Sequence, residues 1–531
     1  MKTFSPTDEQ EDVVHAAGRV RTLAVEALAG TGKTTTLTML ARSLRGRGLY
    51  LSFNKAIVAD ARPRFPKHVD CRTAHSLAFR AVGGVYQARL RSPRMRHDEV
   101  ARLLGCERVE QNVGGFRIDG PKLAGIVLRT ARRFEKSPDT SLSRDHVPRP
   151  PGIDDRGHRV LADLALPFAV RAWEDLLRPD GRLPFVHDTY LKIWQLSGPI
   201  VDADFILFDE AQEADPVMLD VVQGQGDAQQ IFVGDRHQAI YEWRGAVNAM
   251  RDVQVEDRRW LTMSFRFGHA IAERANEYLQ AIHAKRLVRG HPGVASSVGP
   301  IPDPDAILVR TNATAVATAI EALDRGRKPA LLGGGEEVKS FAIAAKQLMA
   351  RRPTTHPELA CFDDWDQVRH FVENEEEGNE IAMLVRLIDA WGPDTIIGVV
   401  DRCVDERAAD LLVSTAHKAK GREWAKVRLA ADFPALREDD DAGGGGEKGE
   451  GKPPPTPEEI RLAYVAVTRA KLRLEVVEPG STRPAPRPPL PPPGGTRPGA
   501  SPELQRRRPL AGSRTPIGDI RIGIGPGKPR R

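Results

Sequence analysis

The sequence predicts an α/β protein whose parallel sheets are buried on both faces, and three observations carry that expectation. Twice, an apolar run passes through a short loop into a helical pattern: TLAVEALAG into GKTTTLTMLARSL, and FILFDEAQ into PVMLDVVQ. These apolar runs lack polar–apolar alternation, which suits strands covered by helices on each side. Further along, AILVRT, PALLGG, LLVSTAH and KVRLAADF read as strands of a second α/β unit, with AVATAIEAL and EEIRLAYVAVTRA as its helices.

Composition sets the boundaries of that reading. The 531 residues are room for three to four domains at about 150 residues each. With 40% hydrophobic and 28% charged residues, a wholly disordered or fibrous chain is excluded. No apolar run approaches the ~18 residues that span a bilayer, and MKTFSPTDEQEDVV has no apolar signal-peptide core. Cys71, Cys106, Cys361 and Cys403 lie far apart without CxxC spacing, which argues against a disulfide framework or a zinc site. The expectation is a soluble, cytoplasmic protein (nucleoid-associated if bacterial) with no membrane partner.

The net charge of +6 is unevenly spread. Residues 481–531 hold eleven basic and two acidic residues, which leaves −3 for the first 480. The same stretch has thirteen Pro, eight Gly and no apolar period, so a disordered Pro/Arg-rich tail is expected there. DDDAGGGGEKGEGKPPPTP, from Asp439 to Pro457, reads as a flexible loop. Residues 81–185 look helical, and 85–136 within them carry twelve basic against six acidic residues. Residues 358–410 reverse this, with fifteen acidic against four basic.

Chemistry concentrates first in ALAGTGKTT, from Ala27 through Leu28, Ala29, Gly30, Thr31, Gly32, Lys33 and Thr34 to Thr35. Between a strand and a helix, Gly30 and Gly32 let backbone N–H groups close around phosphate oxygens, and the helix N-terminus adds partial positive charge. Lys33 supplies a point charge for the β/γ-phosphates, and the Thr34 hydroxyl suits Mg²⁺. Ala27 stands where the generic pattern has its first Gly. ILFDEAQE supplies the second half of such a site: Asp209 closes an apolar run and can hold Mg²⁺ through water, and Glu210 can take a proton from the attacking water. Together these residues predict a Mg²⁺-using NTPase.

The order of the remaining signatures resembles the UvrD-like superfamily 1 DNA helicases, and most closely their F-box DNA helicase branch. SPTDEQ, ALAGTGKTT, LSFNKA, CRTAHSLAF, HDTYLKIWQLS, FDEAQE, FVGDRHQAIYEWRGA, LTMSFRF, STAHKAKGREW and LAYVAVTRAK fall in that family's order across residues 4 to 475. The resemblance implies two RecA-like P-loop motor domains, each interrupted by an insertion, with ATP in the cleft between them. The expected boundaries are 1–80 with 190–255 for the first motor domain and 81–189 for its mostly helical insertion. The second motor domain would take 256–350 with 410–480, around a short acidic insertion at 351–409. Only four residues precede the first signature, so no F-box is expected.

By the same resemblance, Gln10 would read the adenine edge, Phe265 would stack on the base and Glu423 would meet the ribose. Thr7 and Gln10 also form a capping-box pattern, which is compatible with adenine reading. Arg266 and Arg469 resemble arginines that reach the γ-phosphate from the second motor domain, and Gln238 the relay between phosphate state and domain closure. The implied DNA track has Phe53, Tyr241 and Trp243 stacking on bases, with Lys55, Thr73, His75, His187, Arg244 and His417 on phosphates. Core packing is the competing account of Tyr241 and Trp243. LSFNKA is one residue shorter than the common form, Ala74 replaces a frequent aromatic, and Glu213 replaces an Asp.

The implied activity is a 3′→5′ DNA helicase acting on single strands and single-strand/duplex junctions, in repair or recombination control. Two rivals stand beside it. One is a translocase that strips proteins such as recombinase filaments, which the acidic insertion favours because it would repel phosphates. The other is an ATP-gated single-strand-binding scaffold, against which the full set of hydrolytic residues argues.

Overall fold

The computed structural model describes residues 5–52, 54–91, 95–113, 116–150, 153–241, 248–333, 335–356, 358–359, 362–374, 379–436 and 454–478. The expected tail, most of the Gly-rich loop, and Phe53, Trp243 and Arg244 lie outside these residues.

The first half contributes strands β1 (Thr22–Ala27), β2 (Gly48–Leu51), β3 (Val69–Arg72), β4 (Glu110–Val113), β5 (Phe116–Asp119), β6 (Phe205–Asp209), β7 (Gln229–Gly234) and β8 (Asp257–Leu261). Six of these form one parallel sheet in the order β3-β2-β6-β7-β1-β8. Leu23, Val25 and Ala27 of β1 enter the core that also holds Leu37, Leu40 and Phe205. Ala24 enters the core on the other face with Ile206, Phe208 and Phe232. Both faces are therefore covered, as the unbroken apolar runs require. The adjacent strands β6, β7 and β1 end at Asp209, Gly234 and Ala27, so their outgoing loops emerge side by side. Ligand crevices of open α/β sheets lie at such carboxyl ends.

The second sheet is also parallel, with order β11-β12-β10-β13-β14-β9. Its strands are β9 (Ser297–Val298), β10 (Ala306–Val309), β11 (Pro329–Leu331), β12 (Leu411–Thr415), β13 (Trp424–Leu429) and β14 (Ala470–Val476). Residues 365–374, 379–391 and 393–402 are helical. They pack Trp365, Val385, Ile388 and Ile396 against Phe341 and Leu348.

Three local expectations change. The helix expected through EEIRLAYVAVTRA spans only Pro457–Val467, and the chain re-enters the sheet at Ala470. The Thr468 hydroxyl donates to Tyr464 O at 2.9 Å and Arg469 Nε to Val465 O at 2.9 Å, so two side chains close the final turn. The stretch expected to be helical at 81–185 also contains the antiparallel hairpin β4–β5, which turns Val113 and Ile118 into the core. Strand β8, although it follows residue 255, pairs with β1 in the first sheet. The crossing to the second sheet comes after Leu261.

Candidate active site

Past β1, Leu28 N continues the ladder to Leu261 O of β8 at 3.1 Å, and the chain then turns, with the Thr31 hydroxyl donating to Leu28 O at 2.8 Å. Gly30 and Gly32 have φ of +76° and +80°, the left-handed region that side chains disfavour. At Gly30 the space is equally restrictive, since a Cβ would lie 2.4 Å from Ser264 Oγ and 2.7 Å from Arg266 Cβ. Gly32 caps the helix Lys33–Ser43, whose first turn has no acidic residue to compete for an anion.

Two carboxylates face this loop. Tyr50 Oη donates to Asp209 Oδ2 at 2.6 Å, and Lys33 Nζ lies 3.2 Å from Glu210 Oε1. Glu210 sits at φ +54°, a strained position for a side-chain-bearing residue, where Gln212 Nε2 donates to its Oε2 at 2.5 Å. Burial, and then the neighbouring Glu210, push the Asp209 carboxyl up to about 6. Burial also works against ionised Glu210, but Lys33 and Lys420 outweigh it and hold that group well below the usual carboxylate range. For Lys33, burial is outweighed by Glu210, Asp235 and Asp209, which raise its pKa.

This donor set fits Mg²⁺. Thr34 and Asp209 offer hard oxygen ligands on one cleft wall, and Asp209 is raised by burial first and by the neighbouring Glu210 second. Among the described residues no cluster of three or more His, Cys, Asp or Glu could hold a metal alone.

The facing wall is cationic. Arg266 Nε lies 2.7 Å from Glu423 Oε2, and its Nη1 donates to Thr468 O at 2.8 Å. Arg469 is 2% exposed; its Nη2 donates to Thr468 Oγ1 at 3.1 Å and reaches Gln238 Oε1 at 3.5 Å. Burial, and then Arg266, push its pKa down to about 9, so it remains charged near neutrality. Gln238 Nε2 donates to Asp235 Oδ2 at 2.8 Å. Lys420 donates to Gln238 O at 2.6 Å and pairs with Glu213. Gly30, Lys33, Asp209, Glu210, Gln238, Phe265, Arg266, Glu423 and Arg469 all line one cleft of about 1110 Å³. Such a volume accommodates a nucleotide.

Gln10 is buried against the phosphate loop, where a Cβ at Gly32 would lie 3.3 Å from its Nε2. It completes the capping box with Thr7, and its Nε2 donates to Thr36 Oγ1 at 3.1 Å. Each amide atom keeps a second hydrogen or lone pair, so capping and base reading are compatible. Phe265 N donates to Gly30 O at 2.8 Å, and its ring lies 5.6 Å from that of His291.

Of the expected DNA track, Phe53, Trp243 and Arg244 lie outside the described residues. His75 and His187 approach to 6.5 Å between ring centroids, with His75 Nε2 3.2 Å from Asp188 Oδ1 and His187 Nδ1 3.0 Å from Tyr190 Oη. Thr73 caps the helix Ala74–Ala81, and Lys55 is exposed at the start of Lys55–Ala61. Tyr241 is half-buried in the seam between the halves: its hydroxyl donates to His417 O at 2.9 Å, and Lys420 lies 5.8 Å from its ring.

Sequence reading missed Tyr50, Gln212, Asp235, Lys420 and Tyr464. Gln212, Asp235, Lys420 and Tyr464 stand inside quoted signatures, FDEAQE, FVGDRHQAIYEWRGA, STAHKAKGREW and LAYVAVTRAK, but only the fold shows what they touch.

The profile of an AAA domain matches residues 10–244, and that of the UvrD-like helicase C-terminal domain matches residues 365–478. F-box DNA helicase protein 1 of Schizosaccharomyces pombe is 30% identical over 88% of this chain and 57% of its own length. F-box DNA helicase 1 of Gallus gallus is 31% identical over 88% of this chain and 48% of its own length. The chain thus spans about half the length of the curated relatives it matches.

Proposed function

Because this chain belongs to the UvrD-like helicases, we propose that it is an ATP- and Mg²⁺-dependent motor that moves 3′→5′ on single-stranded DNA and opens duplexes at single-strand/duplex junctions. The observation that carries this reading is the cleft, where Lys33 and Glu210 on one wall face Arg266 and Arg469 on the other. The backbone N–H groups between Gly30 and Thr35 would hold the phosphates. Lys33 would exchange Glu210 for a phosphate oxygen, which frees Glu210 to take a proton from water. Thr34 and Asp209 would hold Mg²⁺, which supplies charge neutralisation to the phosphates. Arg469, and Arg266 on leaving Glu423, would stabilise transition-state charge. A site completed from both walls ties hydrolysis to closure, and closure would move Tyr241, His417 and the track around His75 relative to one another.

One observation favours a second reading. Residues 358–410 carry fifteen acidic and four basic residues, a composition that repels phosphates. In that reading the motor chiefly displaces proteins, such as recombinase filaments, in repair or recombination control.

The test is ATPase activity with and without single-stranded DNA, followed by unwinding of 3′- and 5′-tailed duplexes. The expected result is DNA-stimulated turnover and opening of 3′-tailed substrates only. Stimulated turnover without unwinding selects the stripping reading, and absent turnover removes both.

A further inference from the structure

The helix Pro457–Val467 reaches the phosphate loop through a residue that does not line the cleft. Tyr464 is fully buried, yet its hydroxyl is committed twice across the seam between the halves. It accepts Ala29 N–H at 3.2 Å and donates to Asp235 Oδ2 at 3.3 Å. The same Asp235 oxygen takes Gln238 Nε2, while Asp235 N donates to Gln212 Oε1 at 3.1 Å. Gln212 in turn holds Glu210. On its own helix, Tyr464 O accepts from Thr468, whose neighbour Arg469 binds Val465 O. One short rigid segment therefore carries both the phenol and the arginine. A neutral phenol accepts and donates at one atom, so it can satisfy a phosphate-loop N–H and a buried carboxylate together.

We infer that Tyr464 is a positioning residue that registers the Arg469 segment against the phosphate loop and against the Asp235 hub of Gln238 and Gln212, so that the arginine arrives where Glu210 handles water. This rests on the ATPase reading above. Its role lies in turnover rather than in nucleotide binding, because Tyr464 does not line the cleft.

Tyr464→Phe keeps the ring and removes only the hydroxyl. In the full chain, turnover at saturating single-stranded DNA should fall about tenfold, with the KM for ATP within about twofold and an unchanged active-site fraction. Combined with Arg469→Ala, it should add nothing to that variant's loss, since residues acting as one unit are non-additive. Wild-type turnover, or a loss that multiplies with that of Arg469→Ala, overturns the inference. Asp235→Asn tests the same link from the other side if the phenylalanine variant does not fold: a similar turnover loss at constant KM supports it, and wild-type turnover overturns it. The wild-type chain and Lys33→Ala are run alongside. No DNA-stimulated turnover in the first, or full turnover in the second, removes the ATPase reading itself.

Discussion

The two sheets are built alike and supply opposite chemistry. Each is a parallel sheet of six strands, but the carboxyl ends of the first deliver Asp209, Glu210 and Asp235, whereas loops of the second deliver Lys420, Glu423 and Arg469. Neither wall is a site alone. On the proposed reading the first would hold phosphates through Lys33 and the glycine-lined loop, and the arginines of the second would answer the charge placed there. This would be a division of labour: phosphate binding would belong to one half, and rate would depend on bringing the other half to it.

The largest effects test that division directly. Lys33→Ala and Arg469→Ala should each lower DNA-stimulated turnover by about 10³-fold or more, the scale at which an arginine contributes in NTPases. Only Lys33→Ala should also weaken nucleotide binding strongly, as read by titration with a fluorescent ATP analogue. Equal affinity losses in the two variants would break the comparison. Glu210→Gln sharpens it further. Turnover should fall about 10²- to 10⁴-fold while ATP is retained, because on the proposed mechanism Glu210 would take a proton from water and hold no phosphate.

A smaller effect is expected where the walls are stitched together. Lys420 leaves the second half to pair with Glu213 and to donate to Gln238 O at 2.6 Å. Lys420→Ala should reduce stimulated turnover about tenfold and leave an unpaired buried carboxylate, so its melting temperature should fall too. Turnover that follows the melting temperature alone would make Lys420 a structural clamp.

Much of the first wall was legible in the sequence, and the reason is local. The phosphate loop needs Gly30, Gly32, Lys33 and Thr34 within five positions between a strand and a helix, so its geometry is written in one short segment. The parallel sheets were legible for a similar reason, since strands buried on both faces lose alternation. The second wall is assembled from residues far apart in the chain, and its Arg266, Glu423 and Arg469 were legible only through the family's signatures. Arg469 lies 231 positions from the Gln238 it touches, and Tyr464 is 435 positions from Ala29. Nothing local marks Tyr464 as more than a core aromatic. Strand β14 was hidden because Thr468 and Arg469 end the helix with side-chain bonds, whereas helical periodicity runs on through them. The acidic composition at 358–410 was plain, but not the Trp365- and Phe341-centred core beneath it.

Buried cations extend the comparison to stability. Arg469 in the second wall keeps its proton near neutrality, whereas Lys192 on the first half is closer to losing one. Lys192 is fully buried in the helix His187–Leu196, where Nζ donates to Ser137 O at 2.8 Å, pairs with Asp139 O and lies 4.4 Å from the Phe134 ring. Burial pushes its pKa down from 10.5 to about 8, with Asp139 and Asp220 opposing the shift. Between about pH 8 and 10.5 the unfolded chain therefore holds a proton at this site that the folded chain does not, so this contribution to stability rises with pH. Below about pH 8 both states are protonated, and the folded protein bears the full cost of the buried charge. Lys192→Met removes that dependence while filling similar space. Denaturant unfolding of both proteins at pH 7, 8.5 and 10 should show the wild type gaining on the variant by about 1–3 kcal/mol across the range. Parallel curves would mean that Lys192 titrates as an ordinary lysine, and the contrast with Arg469 would then fall to the guanidinium's own basicity rather than to the two environments.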